Sequence, residues 1–434
     1  MTDPYRPALH FAPQKGWMND PNGLIRKDGI WHLFFQHDPD STTHGPMHWG
    51  HATSRDLLHW DEQPVALYPD HNGTCFSGSA IETAEGAVKL FYTGHSLRDG
   101  QDYQVQCLVE ANSDLTAFTP YAGNPVVPNP GKIAFRDPKV IWHAPSARWI
   151  MLVTEGQSMA FYGSENLTDW AYLSRFGEGH GRHSEGPWEC PDLVALTAPS
   201  GEVVWMLIVG VNPGGYGAGS GTQYFLGDFD GIRFTNRNAP DTTLWLDYGR
   251  DYYAAQTFFD RAGGPPVAIG WASNWHYAKE TPTSAFRGVM SLPRCLSLVE
   301  TPAGLRVAAT LPAGAEGAFT VAGTARHPVT ATLAVGERLD ITLFGADAPQ
   351  ITITRTSADK GVLRSIRPAH GTMHAFAHDI TVPLDWPPEG VTGDLYIDHG
   401  LTELCLSQGT VWLTNLHYPA DPQGTSMTTE VRHG

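Results

Sequence analysis

The sequence predicts an all-β protein, a five-bladed β-propeller followed by a C-terminal β-sandwich. Glycine and proline number 46 and 33 among 434 residues, so few stretches could hold a helix of about 11 residues without interruption. Short runs rich in β-branched and aromatic residues recur between turn residues instead. A short motif also recurs at the spacing of one four-stranded propeller blade.

The recurring motif is an acid or amide, then leucine, then an aromatic residue three positions later. Its copies are Ser54–Trp60, Asn112–Phe118 and Ser164–Trp170, with Phe229–Phe234 as a candidate fourth. The final aromatic residues follow one another at 58, 52 and 64 positions. About five such periods fit between residues 5 and 298, which predicts five blades.

Three segments follow from this period. We predict a propeller over residues 1–300, a linker rich in Ala, Gly and Pro over 301–317, and a sandwich over 318–434. The sandwich is predicted from alternation of period two in Leu339–Leu343, Ile351–Thr354 and Leu401–Leu406, which is typical of strands with one buried face.

The charge and hydropathy of the chain limit which partners and locations are expected. The formal net charge is −17, which disfavours nucleic acid and anionic membranes and suits a neutral small molecule. No apolar run reaches the roughly 18 residues of a membrane helix. The N-terminus lacks a basic and an apolar leader region, so we expect a cytoplasmic protein.

Cysteine and histidine give no ligand pattern. The five cysteines are spread along the chain without a C-x-x-C pair, so we expect reduced thiols. The pairs His48/His51 and His180/His183 have no accompanying zinc motif, so a catalytic metal is not expected. The glycine-rich stretch 214–221 lacks a P-loop lysine and is predicted to be a flexible blade loop.

Three carboxylates follow the blade period. Positions 20, 77, 137, 189 and 253 are 57, 60, 52 and 64 residues apart, so Asp20, Asp137 and Glu189 are predicted to meet at one end of the central channel. Cleavage of a glycosidic bond needs one carboxylate and one carboxylic acid on either side of the sugar carbon. Trp188 is expected to wall Glu189, and Arg136 to keep Asp137 ionised. A sugar-binding propeller without catalysis is the alternative at this point.

Further side chains are predicted to surround the sugar. Apolar faces are expected from Trp17, Trp49, Phe76 and Trp271, and hydrogen bonds to hydroxyls from Asn19 and Gln36.

The acid-bearing segments resemble a known family. Trp17–Gly23, Phe135–Pro138 and Trp188–Pro191 are similar to the three acid motifs of glycoside hydrolase family 32, which contains invertases, sucrose-6-phosphate hydrolases, levanases, inulinases and fructosyltransferases. Flanking matches extend over nearly the whole chain and include Trp49–Ser54, Phe76–Ala80, Tyr224–Gly231 and Arg287–Arg294. The resemblance implies a propeller–sandwich fold, a retaining β-fructofuranosidase and no cofactor.

The resemblance also implies roles for individual residues. Asp20 matches the nucleophile, Glu189 the general acid/base, and Asp137 the acid that stabilises the transition state, with Arg136 as its partner. The other matched positions are Asn19, Gln36, Phe76 and Ser77 on the terminal fructose, Tyr253 and Trp271 in the wall, and Asp398 and Glu403 as a strand signature of the sandwich.

Two departures bear on specificity. Asp38 adds a charge where the family often has asparagine, and His44 stands where a tryptophan of the subsite wall is usual. His44 is either a wall residue or a solvated loop residue.

Several alternatives stay open. The substrate is sucrose, sucrose 6-phosphate or a fructan, and a phosphate could be held by His180, Arg182 and His183. Either water or a sugar hydroxyl captures the intermediate, which separates a hydrolase from a fructosyltransferase. A related propeller class with inverting chemistry and a lectin-like propeller are the remaining rivals, and the oligomeric state is not predicted.

Overall fold

The computed structural model describes residues 3–433, which form 32 strands and five short 3₁₀ helices. The first blade consists of β1 (Gly16–Lys27), β2 (Ile30–Asp38), β3 (His48–Ser54) and β4 (Trp60–Leu67). The second consists of β5 (Thr74–Glu82), β6 (Val88–Arg98), β7 (Gln101–Ala111) and β8 (Phe118–Pro120). The third consists of β9 (Phe135–His143), β10 (Arg148–Glu155), β11 (Met159–Ser164) and β12 (Ala171–Phe176).

The last two blades contain additional short strands. The fourth has β13 (Trp188–Thr197), β14 (Val203–Val211), β15 (Gly221–Phe229), β16 (Phe234–Asn236) and β17 (Leu244–Trp245). The region of the fifth has β18 (Tyr253–Thr257), β19 (Phe259–Asp260), β20 (Val267–Trp271), β21 (Phe286–Arg287), β22 (Arg294–Thr301) and β23 (Gly304–Thr310). The fifth blade is the sheet β18-β20-β22-β23, whereas β19 and β21 pair in parallel with β1 and so join the last blade to the first.

Two antiparallel sheets follow. One has the order β24-β29-β30-β31, from β24 (Thr324–Ala331), β29 (Val391–Asp398), β30 (Leu401–Leu406) and β31 (Val411–Leu416). The other has the order β28-β27-β26-β25-β32, from β25 (Glu337–Leu343), β26 (Ile351–Arg355), β27 (Lys360–Arg367), β28 (His378–Asp385) and β32 (Met427–His433). One apolar cluster fills the space between these sheets, and the fold class predicted from the sequence is confirmed. The 3₁₀ helices are Ala144–Ser146, Ala278–Glu280, Ala315–Ala318, His374–Phe376 and Ser407–Gly409.

The recurring sequence motif is a capped turn between the third and fourth strands of a blade. In the first blade Ser54 Oγ accepts the amides of Asp56 and Leu57 at 3.2 and 2.8 Å, and Trp60 Nε1 donates back to the Leu57 carbonyl. Ser164–Trp170 repeats this pattern in the third blade. The central leucine has a positive φ in three copies: Leu57, Leu115 and Leu167. A serine or asparagine side chain at the start of each turn accepts amides of the turn. These hydrogen bonds stabilise the unfavourable positive φ of the leucine.

The predicted linker is wrong over residues 304–310. This stretch is β23, the outer strand of the fifth blade, and it pairs with β22 along its whole length. Its small residues reflect close packing rather than freedom, since Trp412 Nε1 donates to the Ala309 carbonyl at 2.9 Å and a side chain at Gly409 would strike Ala309.

The glycine-rich stretch 214–221 is also a packed turn rather than the predicted flexible loop. The amides of Gly214 and Gly215 donate to the Gly219 carbonyl at 2.9 and 2.8 Å. A Cβ at Gly219 would lie 2.1 Å from Asn274 Oδ1. Glycine is needed here because the chain folds back against a buried asparagine.

Charged side chains join the propeller to the sandwich. His10, near the N-terminus, contacts Asp398 at 2.8 Å and Glu403 at 3.2 Å through its two ring nitrogens. Glu403 also accepts from Arg294 and from the amide of Leu292. Because every carboxylate oxygen has a donor, the network overcomes much of its desolvation cost and fixes the two parts relative to each other. The two acids singled out in the sandwich therefore lie at this interface and not in the predicted sugar site.

Among residues 3–433, no helix has the length and apolar character needed to cross a membrane.

The charged contacts of His10 with Asp398 and Glu403 should make the free energy of unfolding depend on pH. Burial lowers the pKa of His10, but the hydrogen bonds and charges of Asp398 and Glu403 outweigh it and raise the pKa to about 9. The protonated ring therefore contributes stability that is complete below pH 6.5 and is lost as the pH rises through about 9, a loss of roughly 3 kcal/mol. Urea unfolding between pH 6 and 9.5 should show this fall, and His10→Gln should flatten it. If the free energy of unfolding fell equally with pH in both proteins, the raised pKa of His10 would be contradicted.

Candidate active site

The innermost strand of every blade has an irregular register near its start. The interruptions lie between Met18 and Pro21 in β1, Phe76 and Gly78 in β5, Arg136 and Lys139 in β9, Glu189 and Asp192 in β13, and Tyr253 and Gln256 in β18. Bulges bend a strand and redirect its side chains. Three of the residues at these points, Asp137, Cys190 and Ala254, have φ of 64°, 49° and 52°. The five bulges turn the predicted site residues towards one end of the channel.

The three predicted acids meet at Cys190. Its thiol donates to Asp20 Oδ2 at 3.3 Å and its amide donates to Asp137 Oδ2 at 2.8 Å, while Glu189 is its chain neighbour. Arg136 completes the group, with Nη2 donating to Glu189 Oε1 at 2.8 Å. The carboxylates of three blades therefore share one pit, as their spacing predicts. Cys190 lies inside a motif that the sequence singles out, but nothing in the sequence indicates that it bridges two acids.

Asp20 is held by three donors. Ser77 Oγ donates to Oδ2 at 2.7 Å and Asn19 Nδ2 donates to Oδ1 at 3.0 Å, in addition to the Cys190 thiol. Burial raises the pKa of Asp20, the Ser77 and Asn19 hydrogen bonds lower it, and the charge of Glu189 raises it again, with a net rise. The donors fix the orientation of the carboxylate and limit the cost of its burial.

Arg136 contacts Glu189 more closely than Asp137, the acid that the sequence analysis pairs it with. Its Nε lies 3.9 Å from Asp137 Oδ2, farther than its contact with Glu189. Burial raises the pKa of Asp137 to about 7, and the charges of Glu189 and Asp20 add to this, against the opposing effect of Arg136. Arg136 therefore does not keep the pKa of Asp137 at its usual low value, because desolvation and two neighbouring acids outweigh one arginine.

Glu189 lies between two donors. Besides Arg136, the Tyr253 hydroxyl donates to Glu189 Oε2. Burial and the Glu189 charge raise the pKa of Tyr253 well above its usual value, so its proton stays available for this hydrogen bond. Tyr253, predicted as a wall residue, thus orients Glu189 through its hydroxyl.

Most of the predicted aromatic faces lie behind the pit. Trp17, Trp49 and Trp271 are fully buried, so the prediction that they present a face to a sugar is wrong. Trp17 Nε1 donates to Asn19 Oδ1 at 2.7 Å and Trp49 Nε1 donates to the Phe76 carbonyl at 2.9 Å. These indoles position the residues that contact the pit.

The remaining predicted binders are also positioned by hydrogen bonds. Gln36 is buried, and its Nε2 donates to the Cys75 carbonyl at 2.8 Å. Asn19 and Ser77, both buried, are engaged with Asp20.

The accessible aromatic wall consists of His44, Phe76 and Trp275, all half-buried. The His44 ring makes edge contacts with Phe76 and Trp275 at centroid distances of 6.3 and 5.6 Å, and Phe76 stacks on His95 at 4.2 Å. His44 is therefore a wall residue and not a solvated loop residue. Burial lowers its pKa, which favours a neutral ring. No motif in the sequence marks Trp275 or His95.

Trp188 and His183 face away from the pit. Trp188 packs in the core between the third and fourth blades, stacks on His183 at 4.9 Å, and donates Nε1 to the Arg182 carbonyl. The prediction that Trp188 walls Glu189 is wrong, because neighbouring side chains of a strand point to opposite faces. His183 is also hydrogen-bonded to Gln157, which leaves it poorly placed to hold a phosphate.

A buried ion pair lies beneath the acids. Lys139 Nζ donates to Asp192 Oδ2 and to the Thr257 carbonyl, each at 2.9 Å, and Asp192 also accepts from the Thr257 amide and hydroxyl. These contacts tie together the third, fourth and fifth blades next to their bulges. The sequence analysis did not single out either residue.

Within residues 3–433, no three histidine, cysteine, aspartate or glutamate side chains are grouped as a metal site.

The model of the glycosyl hydrolases family 32 N-terminal domain matches residues 10–307. The chain belongs to glycoside hydrolase family 32. A levanase from Bacillus subtilis is 45% identical to this family 32 chain over 317 residues, covering 70% of the chain and 46% of the levanase. An invertase from Schizosaccharomyces pombe is 37% identical over 321 residues, which cover 68% of this chain and 54% of the invertase.

A solved structure of similar size extends the likeness to the whole fold. The crystal structure of an exo-inulinase from Aspergillus awamori has a TM-score of 0.83 and 29% identity, covering 99% of this chain and 98% of the inulinase chain. The sequence matches nevertheless span only about half the length of the levanase and the invertase.

The pKa of Asp137 predicts how the family 32 acid cluster affects stability. An aspartate with a folded pKa near 7 and an unfolded value of 3.8 destabilises the fold progressively as the pH rises between these values. Asp137→Asn should therefore raise the melting temperature clearly at pH 8 and little at pH 4. Thermal unfolding at the two pH values measures this, with the exposed Asp40→Asn as a control. A pH-independent effect of Asp137→Asn would contradict the raised pKa.

Proposed function

We propose that this chain is a retaining β-fructofuranosidase that releases terminal β-D-fructofuranosyl units from sucrose-type substrates. The observation that carries the proposal is the pair Asp20 and Glu189 in one pit, one carboxylate held by Ser77, Asn19 and Cys190 and the other by Arg136 and Tyr253. Separate sets of donors allow the two carboxyl groups to take different roles.

The first step is attack by Asp20 on the anomeric carbon of the fructosyl unit. Ser77, Asn19 and Cys190 hold the carboxylate in one orientation, so little reorganisation is needed at the moment of attack. The proton of Glu189 passes to the departing glycosidic oxygen, and the bond to the leaving sugar breaks as the bond to Asp20 forms.

The second step returns the enzyme to its first state. Glu189, now a carboxylate, accepts a proton from water, and the oxygen of that water attacks the fructosyl carbon and displaces Asp20. Two displacements on the same carbon retain its configuration. Asp137 accepts a hydrogen bond from the Cys190 amide next to both acids, and the ionised form of Asp137 would stabilise the oxocarbenium-like transition states from there.

The relatives support a fructosyl substrate and leave two candidates. An invertase supports sucrose, whereas a levanase and an exo-inulinase support a fructan. Fructan hydrolysis is the second candidate, favoured by the higher identity to the levanase. Capture of the intermediate by a sugar instead of water would make the chain a fructosyltransferase, and binding without turnover would make it a lectin-like propeller. The cytoplasmic location stays a prediction.

Substitution of the two acids tests the mechanism. Asp20→Ala and Glu189→Ala should each lower fructose release from sucrose by about three orders of magnitude or more, because each removes one half of the acid pair. Asp40→Ala removes an exposed acid outside the pit and should keep full activity. Fructose release, with unfolding curves as a check on folding, is the measurement, and full activity of either pit variant would refute the proposal.

A substrate panel tests specificity. We expect free fructose as the main product from sucrose, sucrose 6-phosphate, levan and inulin, resolved by chain length. Oligomeric products growing with sucrose concentration would instead identify a transferase. Preference for sucrose 6-phosphate would require a phosphate site other than His183.

A further inference from the structure

A second cavity lies at the opposite end of the propeller from the acids. Its volume is about 840 Å³, and its lining includes Glu82, Trp142, Trp149 and Phe259. Trp142 follows Asp137 by five residues on β9, a distance of about 16 Å along the strand. Glu82 likewise ends β5, which carries Ser77 near its start. A ligand in this cavity would be remote from the reacting carbon.

The cavity presents an exposed aromatic surface. Trp142 is 44% exposed, and its ring contacts the half-buried Trp149 edge-on at a centroid distance of 5.1 Å. Phe259 is half-buried in the same lining. Trp142 and Trp149 are cross-strand neighbours on β9 and β10, so the sheet itself holds the pair. A rigid indole surface of this kind suits the apolar C–H face of a sugar ring.

The rim suits a neutral polyhydroxylated ligand. Glu82, Glu85, Glu165 and Asp260 line the cavity against only Lys89 and Arg261. Glu82 is paired with Lys27 at 2.9 Å and Asp260 with Arg26 at 3.2 Å, so the rim carries no cluster of unpaired basic side chains that would hold a phosphate. The net charge of −17 also disfavours anions. Carboxylates accept hydrogen bonds from hydroxyl groups, and Glu165 is exposed beside the aromatic pair.

The fold does not require this aromatic pair. An equivalent cavity between the first and second blades, of about 600 Å³, is bounded by the corresponding turn, yet its lining contains no phenylalanine, tyrosine or tryptophan. Lys27, Arg55, Asp56 and His59 line it instead. The indoles are therefore not required by propeller packing.

We propose that the groove of Trp142 and Trp149 is a second carbohydrate-binding site, which holds a distant part of a β-fructan chain while another part of the polymer is at the acids. The choice of a fructan as the ligand rests on the second candidate of the proposed function, fructan hydrolysis, whereas the groove itself does not. Such a site raises the local concentration of polymer ends without contacting the reacting atoms.

Native gel electrophoresis in levan tests the site. The Asp20→Asn background prevents consumption of the polymer, and excess sucrose occupies the acid pit. We expect levan to retard this protein, and the added Trp142→Ala substitution to weaken retardation roughly tenfold, as expected for one lost stacking contact. Trp142→Phe should restore part of it. Tyr172→Ala, which removes an exposed aromatic residue outside the groove, should have no effect, and dextran should not retard any of the proteins.

Kinetics supply an independent readout. In the active chain, Trp142→Ala should raise KM for levan several-fold and leave kcat and the KM for sucrose unchanged. Retardation that excess sucrose abolishes, that survives Trp142→Ala, or that dextran reproduces would overturn the inference. So would Trp142-dependent self-association without levan binding, measured by light scattering. If the chain releases no fructose from any substrate, the proposed function fails, while Trp142-dependent retardation would still support the second site.

Discussion

The removal of three neighbouring carboxylates from much of their water, Asp137 fully and Asp20 and Glu189 in part, is the constraint around which the propeller is organised. Asp20, Asp137 and Glu189 share a pit from which much of the water is excluded, and burial raises the pKa of Asp20 and of Asp137. Ionised acids in such a place cost free energy unless donors surround them. Cys190 supplies two of these donors and Arg136 a third. The arrangement keeps acidic side chains with raised pKa values close together in one pit, at the expense of stability.

The fold meets this constraint through its inner strands. A bulge near the start of each one turns a side chain into the channel, and closure of the ring by the parallel pairing of β19 and β21 with β1 holds the five strands together. Lys139 and Asp192 tie three blades just beneath the acids. The sandwich adds no side chain to the acid group, and its charged contacts through Asp398 and Glu403 hold the propeller from outside.

The blade period and the acid positions could be predicted from the sequence because both follow from short-range repetition. Turns such as Ser54–Trp60 recur because each blade needs the same capped connection. Long-range packing could not be predicted in this way. Trp49 and Trp271 look like sugar-binding faces but are core residues, Trp275 carries no motif, and Arg136 lies beside Asp137 in sequence yet contacts Glu189 more closely. Such outcomes depend on which neighbouring blade each side chain faces.

Direct detection of the covalent intermediate tests the central claim that Asp20 attacks the sugar. A Glu189→Ala protein incubated with β-D-fructofuranosyl fluoride, whose leaving group needs no proton, should accumulate the fructosyl-enzyme because no base activates water. Mass spectrometry of peptides from the quenched protein should then place one fructosyl unit on Asp20. A fructosyl unit on any other residue, or fluoride release with no covalent adduct and an inverted product, would contradict the account.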